Sequence, residues 1–245
     1  MPETLPILYR DEHLVAVHKP SGLLVHRTCL DRHETRFAVQ ILRDQLGRHV
    51  HPVHRLDRGT SGVLLFALDR DVCSRLAAQF ETQQVAKTYL AIVRGHPAPE
   101  GLIDHPLTRQ FDAYEFRPAE ASGEAQEAVT SFRRLATTEL PYTVDRYPSS
   151  RYGLLELAPL TGRRHQIRRH LKHIAHPIIG DATYGKGRHN RLFQELFGCH
   201  RLLLACREIR FIHPLSGETI VVTAPLAPDF ASVIDALGWS SAVTA

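Results

Sequence analysis

Long apolar runs are missing from this sequence. No stretch approaches the roughly 18 residues that a membrane helix needs, and Met1–Arg10 lacks the charged-then-apolar pattern of a secretory leader. Cysteine is scarce. Cys29, Cys73, Cys199 and Cys206 form no C-x-x-C pair, which argues against a disulfide framework and fits reduced thiols. Recognised zinc spacings are absent too. His170 and His173 lie three apart, and Cys199, His200 and Cys206 are close, but neither set is a paired C-x-x-C or an H-E-x-x-H, so no metal is expected. No glycine-rich phosphate loop follows a strand, and no repeat or low-complexity tract interrupts the chain. These absences leave a cytoplasmic protein, outside the membrane and without a nucleotide cofactor, as the expectation.

What is present is ordinary in bulk and unusual in detail. The 245 residues are 43% hydrophobic and 23% charged, enough for a real core. Thirty Lys and Arg against 26 Asp and Glu give a formal charge of +4. That excess is small, so its distribution matters more than its size. Arg163 to His173 concentrates cations, and Lys186, Arg188 and Arg191 form a second group. Such clustering suits a polyanion partner, although a charge run is more often a solvated helix face.

Periodicity gives a coarse map. Leu14–Val17, Val63–Ala67, Lys87–Arg94, Val129–Leu135 and Leu154–Ala158 read as strands. Arg207–Ile212 and Glu218–Thr223 read as a hairpin across Pro214–Gly217. Helices are expected over about 34–46, stopped by Gly47, and over about 70–83, capped by Asp69. Further helices are expected over about 190–197 and 229–237. A basic helix should open after Thr161 as N-cap and stop before Pro177, with Ile167, Leu171 and Ile174 as its apolar stripe. Arg164, Arg168 and Lys172, four apart, would line its neighbouring ridge. Residues 96–128 are broken by Pro97, Pro99, Gly101, Pro106 and Pro118 and read as an irregular connection between two halves. Residues 141–153 read as a loop, in which Arg146-Tyr147 and Arg151-Tyr152 offer cations beside aromatics. Strands outnumber helices without regular alternation. The expected fold is α+β, a mixed and mostly antiparallel central sheet flanked by helices, in a single domain over 1–245.

The chemistry concentrates in His54-Arg55-Leu56-Asp57-Arg58-Gly59-Thr60-Ser61-Gly62. It sets one carboxylate between two guanidinium groups in a segment of turn formers. Taken alone, Asp57 is as readily an Asx-type turn residue as a catalyst. Three more motifs accompany it: Lys19-Pro20-Ser21-Gly22, Lys87 to Val93, and Thr161 to Arg168. Together the four resemble the pseudouridine synthases of the RluA family, over about 7–239 and with no S4-type RNA-binding domain in front. One departure is Ala205-Cys206, where the family usually has His-Ala after Arg201-Leu202-Leu203-Leu204.

The resemblance implies an isomerase that turns a uridine of RNA into pseudouridine with no cofactor and no obligate protein partner, a monomer being compatible with it. Asp57 would be the nucleophile and Arg168 its ion partner. Arg55 would fill the gap left by a flipped-out nucleotide, and Tyr89 would lie against the flipped base. Arg164, Arg169 and Lys172 would meet phosphates. The implied target is uridine 65 of tRNA, with a ribosomal RNA uridine as runner-up. Two other readings compete: an RNA-binding protein with a vestigial site, and a glycoside or nucleoside hydrolase acting through Asp57. The hydrolase would normally need a second carboxylate.

Overall fold

The structure, a computed structural model, describes residues 3–26, 34–110 and 123–244. Cys29, Pro118 and the acidic stretch beginning at Glu120 thus lie wholly or partly outside the described residues. The chain opens with β1 (Ile7–Arg10) and β2 (Leu14–Lys19), then α1 (Ala38–Leu46), β3 (His51–Pro52), β4 (Ser61–Ala67), α2 (Arg70–Glu81) and β5 (Ala86–Arg94). The middle holds β6 (Glu100–Asp104), β7 (Leu107–Thr108), β8 (Ala125–Gln126), β9 (Val129–Leu140) and β10 (Ser150–Pro159). α3 (Gln166–His173), α4 (Gly187–Phe197), β11 (Leu204–Ile212), β12 (Thr219–Thr223), α5 (Pro228–Ala236) and α6 (Ser240–Thr244) complete it.

Among the described residues, a ten-stranded sheet runs β1-β2-β4-β11-β5-β10-β9-β6, with β12 on β11 and β3 on β4. Its pairs are antiparallel except β4 with β11, where Ala205 faces Ser61 and Cys206 faces Gly62. The α+β expectation holds. Alternation along β5 explains the layering. Tyr89, Ala91 and Val93 join a core that includes Leu42 of α1, Leu76 of α2 and Leu171 of α3. Leu90 and Ile92 join a second core with Phe193 of α4 and Phe230 and Val233 of α5. Successive side chains of a strand point to opposite faces, so α1–α3 cover one face and α4–α5 the other. Truncating one of these fully buried leucines, such as Leu171, costs about 2–5 kcal/mol.

Several local readings hold at residue level. Asp69 caps α2 by accepting from Val72 N at 2.8 Å. Gly47 and Gly198 end α1 and α4 in the left-handed conformation that glycine tolerates best. Others need correction. Residues 96–110 are not merely irregular, because β6 pairs with β9 at the sheet edge. An edge strand tolerates the flanking Pro97 and Pro99 that hid it. The 141–153 loop ends early, since β10 begins at Ser150.

The largest correction concerns α3. Thr161 is not its N-cap. The helix starts only at Gln166, after His165 in a left-handed conformation with φ 54°. Thr161 Oγ1 accepts from Val129 N at 3.0 Å and donates to Gln166 Oε1 at 2.7 Å. Gln166 Oε1 also accepts from Arg163 N, and its amide donates to Val129 O and Thr130 Oγ1. A long-range network through one buried glutamine therefore holds 161–165 as a turn against β9. Arg164 consequently precedes the helix and shares no helical ridge with Arg168.

Candidate active site

The nonamer forms the loop from β3 into β4. Thr60 N donates to Asp57 O at 3.1 Å, closing a tight turn. Gly62, at φ 111°, is where the loop becomes β4. A Cβ there would lie 1.9 Å from Cys206 O, so only glycine lets β4 and β11 approach this closely. The Lys19–Gly22 turn grips the other side. Gly22 N donates to Arg58 O at 2.8 Å, and Ser21 Oγ to Gly59 O at 2.7 Å. Lys19 is fully buried, and its Nζ donates to the carbonyls of Leu23, Pro20 and Arg58 at 2.7, 3.0 and 3.1 Å. Three acceptors satisfy the three N–H bonds of an ammonium. Burial lowers its pKa to about 7, against the pull of Asp57.

His54 anchors the loop start. Its Nε2 accepts from Leu65 N at 3.1 Å, and its ring stacks on Phe80 at 4.9 Å. Burial, reinforced by the nearby Lys87 charge, pushes its pKa down to about 3, so it is a neutral structural group. Behind the loop, Arg201 donates to Ser61 Oγ at 2.6 Å and to Asp229 Oδ1 at 2.9 Å.

Asp57 reaches from this loop to α3. Its Oδ2 accepts from Arg168 Nη1 at 3.0 Å, and its Oδ1 lies 3.8 Å from His165 Nε2. Arg168 is itself held from behind. Nε and Nη2 donate to the two oxygens of Asp181 at 2.7 and 2.9 Å, a bidentate fork. The Asp181 side chain has no solvent exposure. Its Oδ1 also accepts from Thr183 N and Tyr184 N at 2.9 Å. Burial works against both charges, but each outweighs it for the other. The Asp181 carboxyl falls below the usual carboxylate range, while Arg168 rises above the usual guanidinium range with help from Asp57. The Asp57 carboxylate thus meets an arginine whose position and charge are fixed.

Asp57 lines a cavity of about 760 Å³. Its described lining includes the cations Arg55, Lys87, Arg109, Arg163, Arg164, Arg168 and Arg169, against the acids Asp57 and Glu81. That imbalance suits a polyanion entering beside the Asp57 carboxylate. Tyr89 forms part of the floor and is 9% exposed. Burial, then the neighbouring Cys206 thiol and Asp57, raises its pKa well above 10, so it stays a phenol. Cys206 faces it across β5 and β11. Arg55 is exposed at the cavity wall.

The expected residues divide. Asp57, Arg55, Tyr89, Arg164, Arg168 and Arg169 converge on the cavity, and Arg169 Nη1 also donates to Thr108 O at 3.0 Å. Lys172 does not line it. It is exposed, with Nζ 5.8 Å from the Tyr184 ring centre, on which Arg168 also lies at 5.0 Å. Three contributors escaped the sequence reading: Asp181, His165 and Lys19's inward role. His165 has a lowered pKa through burial, opposed by Asp57 and reinforced by Arg168, and its Nδ1 lies 3.1 Å from the Tyr184 hydroxyl. Asp181 carried one local signal, the turn-forming run Asp181-Ala182-Thr183-Tyr184-Gly185.

A carboxylate paired with a braced arginine, in a cation-walled cavity on this fold, fits an enzyme that acts on a polyanion, and similar proteins give the class. The family model for RNA pseudouridylate synthase matches residues 13–173. The chain belongs to that family, of the RluA type, and to its isomerase class. It is 48% identical over 237 residues to tRNA pseudouridine synthase C of Vibrio vulnificus, covering 97% of each chain. It is 50% identical over 236 residues to tRNA pseudouridine synthase C of Pasteurella multocida, covering 96% of this chain and 97% of that one. Among solved structures it is similar to human RNA Pseudouridylate Synthase Domain Containing 1, at 27% identity and a TM-score of 0.70, over 95% of this chain and 89% of that one.

Proposed function

We propose that this chain isomerises uridine 65 of tRNA to pseudouridine, with Asp57 as nucleophile on a flipped-out nucleotide. The observation that carries the reading is the Asp57–Arg168–Asp181 relay at 3.0, 2.7 and 2.9 Å inside a cation-lined cavity. The near-full-length likeness to tRNA pseudouridine synthase C supports the choice of RNA.

The reaction breaks the N1–C1′ bond and joins C1′ to C5 of the same base. N1 gains a proton, C5 loses one, and nothing is oxidised. Cleavage builds positive character on the ribose. A carboxylate serves that step, and Arg168 holds Asp57 in position through its 3.0 Å hydrogen bond. The target must leave its stack, at about a few kcal/mol. Arg55, exposed at the wall, fills the vacated space with a planar group that stacks and hydrogen-bonds. Tyr89 packs on the everted base; as a neutral phenol it serves stacking before proton transfer. The cavity must also exclude water from C1′, since water attack would release free uracil. Arg164 and Arg169 meet flanking phosphates.

Asp57→Asn tests this. The variant should bind tRNA as the parent does and form no pseudouridine at position 65 by chemical mapping. Full activity in it removes the nucleophile. Product at a ribosomal uridine but none in tRNA reassigns the substrate. Free uracil marks a hydrolase.

A further inference from the structure

We propose that the first turns of α4 and the turn at 142–148 form a second phosphate-binding surface for the RNA substrate, outside the catalytic cavity. The inference rests on the reading of the chain as a tRNA-modifying enzyme. Lys186, Arg188 and Arg191 are exposed at the start of α4, and Arg146 is exposed on the facing turn. Asp145 is the acid among them. Its Oδ1 accepts from Arg188 Nη1 at 2.7 Å and so ties the turn to the helix. Glu195 lies one helical turn beyond Arg191.

The turn is ordered by its own bonds. Asp145 sits at φ 60°, Val144 bridges Tyr147, and Ser150 Oγ donates to Tyr142 O at 2.9 Å. It presents Tyr147, 49% exposed, with the Arg146 guanidinium 5.2 Å from its ring centre. A cation beside an exposed aromatic ring is how proteins grip a backbone and stack an unpaired base.

This surface is held in register with the catalytic arginine. Asp181 binds Arg168 through its carboxylate, while its carbonyl accepts from Gly185 N and Asn190 Nδ2. A Cβ on Gly185 would lie 2.2 Å from that carbonyl, so the turn into α4 admits no bulkier residue. His189 then pins the helix to the sheet through Tyr152 at 2.8 Å and Arg94 at 3.1 Å. Tyr184 touches Arg168, and Arg188 follows four residues later, a reach of about 14 Å at most. A duplex carries one charge per about 1.7 Å of axis. A stem entering the cavity therefore brings several phosphates within range of the patch.

The experiment titrates the full chain with unmodified tRNA transcript at several salt concentrations and scores pseudouridine in the same samples. Combined Lys186→Ala, Arg188→Ala and Arg191→Ala should raise Kd about tenfold or more near 0.15 M salt. The slope of log K against log salt should flatten by about two, at roughly 0.7–0.9 for each phosphate no longer neutralised. Asp145→Asn should act in the opposite sense and tighten binding, because asparagine keeps the left-handed turn while the anionic competitor is gone. Tyr147→Ala should weaken binding and Tyr147→Phe should not. The control Arg43→Ala, on α1, should leave the slope alone. A wild-type slope in the triple variant, as an acidic protein partner for this face would give, overturns the inference, as does weaker binding in Asp145→Asn. A chain that loses slope in the triple variant yet makes no pseudouridine sinks the enzymatic reading and leaves this surface standing.

Discussion

Two sets of charged groups stand at and around the same cavity and are built in opposite ways. Asp181 and Lys19 are buried, Arg168 nearly so and Asp57 partly, and protein partners hold them in place. Arg55 is exposed at the wall, and Lys172 lies beyond it on the surface. Both sets contain cations; burial separates them. In the inner set, geometry is settled before any substrate arrives, which is what stabilising a developing charge requires. The outer set stands toward solvent, where a backbone of variable shape can reach it. Rate should therefore reside in the first set and affinity in the second.

The strongest way to break that contrast is at Asp181, which never touches the cavity. Asp181→Ala leaves the Arg168 charge largely buried with one partner fewer. Stability should fall by about 3–5 kcal/mol, as when one member of a buried ion pair is removed, measured by urea unfolding. Among molecules that still fold, kcat should drop at least about a hundredfold with a smaller change in tRNA affinity. A kcat near the parent value would show that Arg168 needs no bracing, and the contrast would fail.

His54 sharpens the same contrast through pH. Its folded pKa of about 3 lies below the ordinary 6.5. Above pH 6.5 the ring is neutral folded or unfolded, and its full contribution is present. As pH falls from 6.5 toward 3, only the unfolded chain takes up the proton, so stability declines across that window. His54→Gln, which keeps an acceptor for Leu65 N, should be less stable at pH 7.5 yet show a flatter decline between pH 6 and 4 in urea midpoints. An equally steep decline in the variant would mean that other groups carry the acid sensitivity.

The sequence disclosed the two sets unequally. Local features were legible because their causes are local: the Asp69 cap, the Gly47 and Gly198 stops, and the β5 alternation that splits Tyr89 from Leu90 between two cores. The Arg163–Arg169 cluster declared itself by composition, and Arg55 by its place in the nonamer and by family likeness. The inner set did not. Asp57 and Arg168 lie 111 residues apart, and no periodicity joins them; family likeness paired them. Asp181 is one acid among 26 until the fold places it behind Arg168. Thr161 looked like a helix cap because it precedes the basic run, but its hydroxyl is engaged by Val129 N and Gln166, which pattern alone does not reveal. β6 was masked by prolines that only an edge position permits.

The smallest effect belongs to the half-buried wall cations between the two sets, and it has its own signature. Arg164→Ala combined with Arg169→Ala removes two cavity-wall cations that lie outside the Asp57–Arg168–Asp181 relay. If both meet phosphates, log K for tRNA should lose about 0.7–0.9 of salt slope for each phosphate left without its cation. KM should rise several-fold at moderate salt and converge on the parent value as salt rises, while kcat moves much less than in Asp181→Ala. The convergence is the discriminating feature. A displaced catalytic group slows turnover at every salt concentration, whereas a missing phosphate partner matters only where counterions are dilute. A salt-independent loss of kcat in this variant would place Arg164 and Arg169 with the braced charges and erase the line between the two sets.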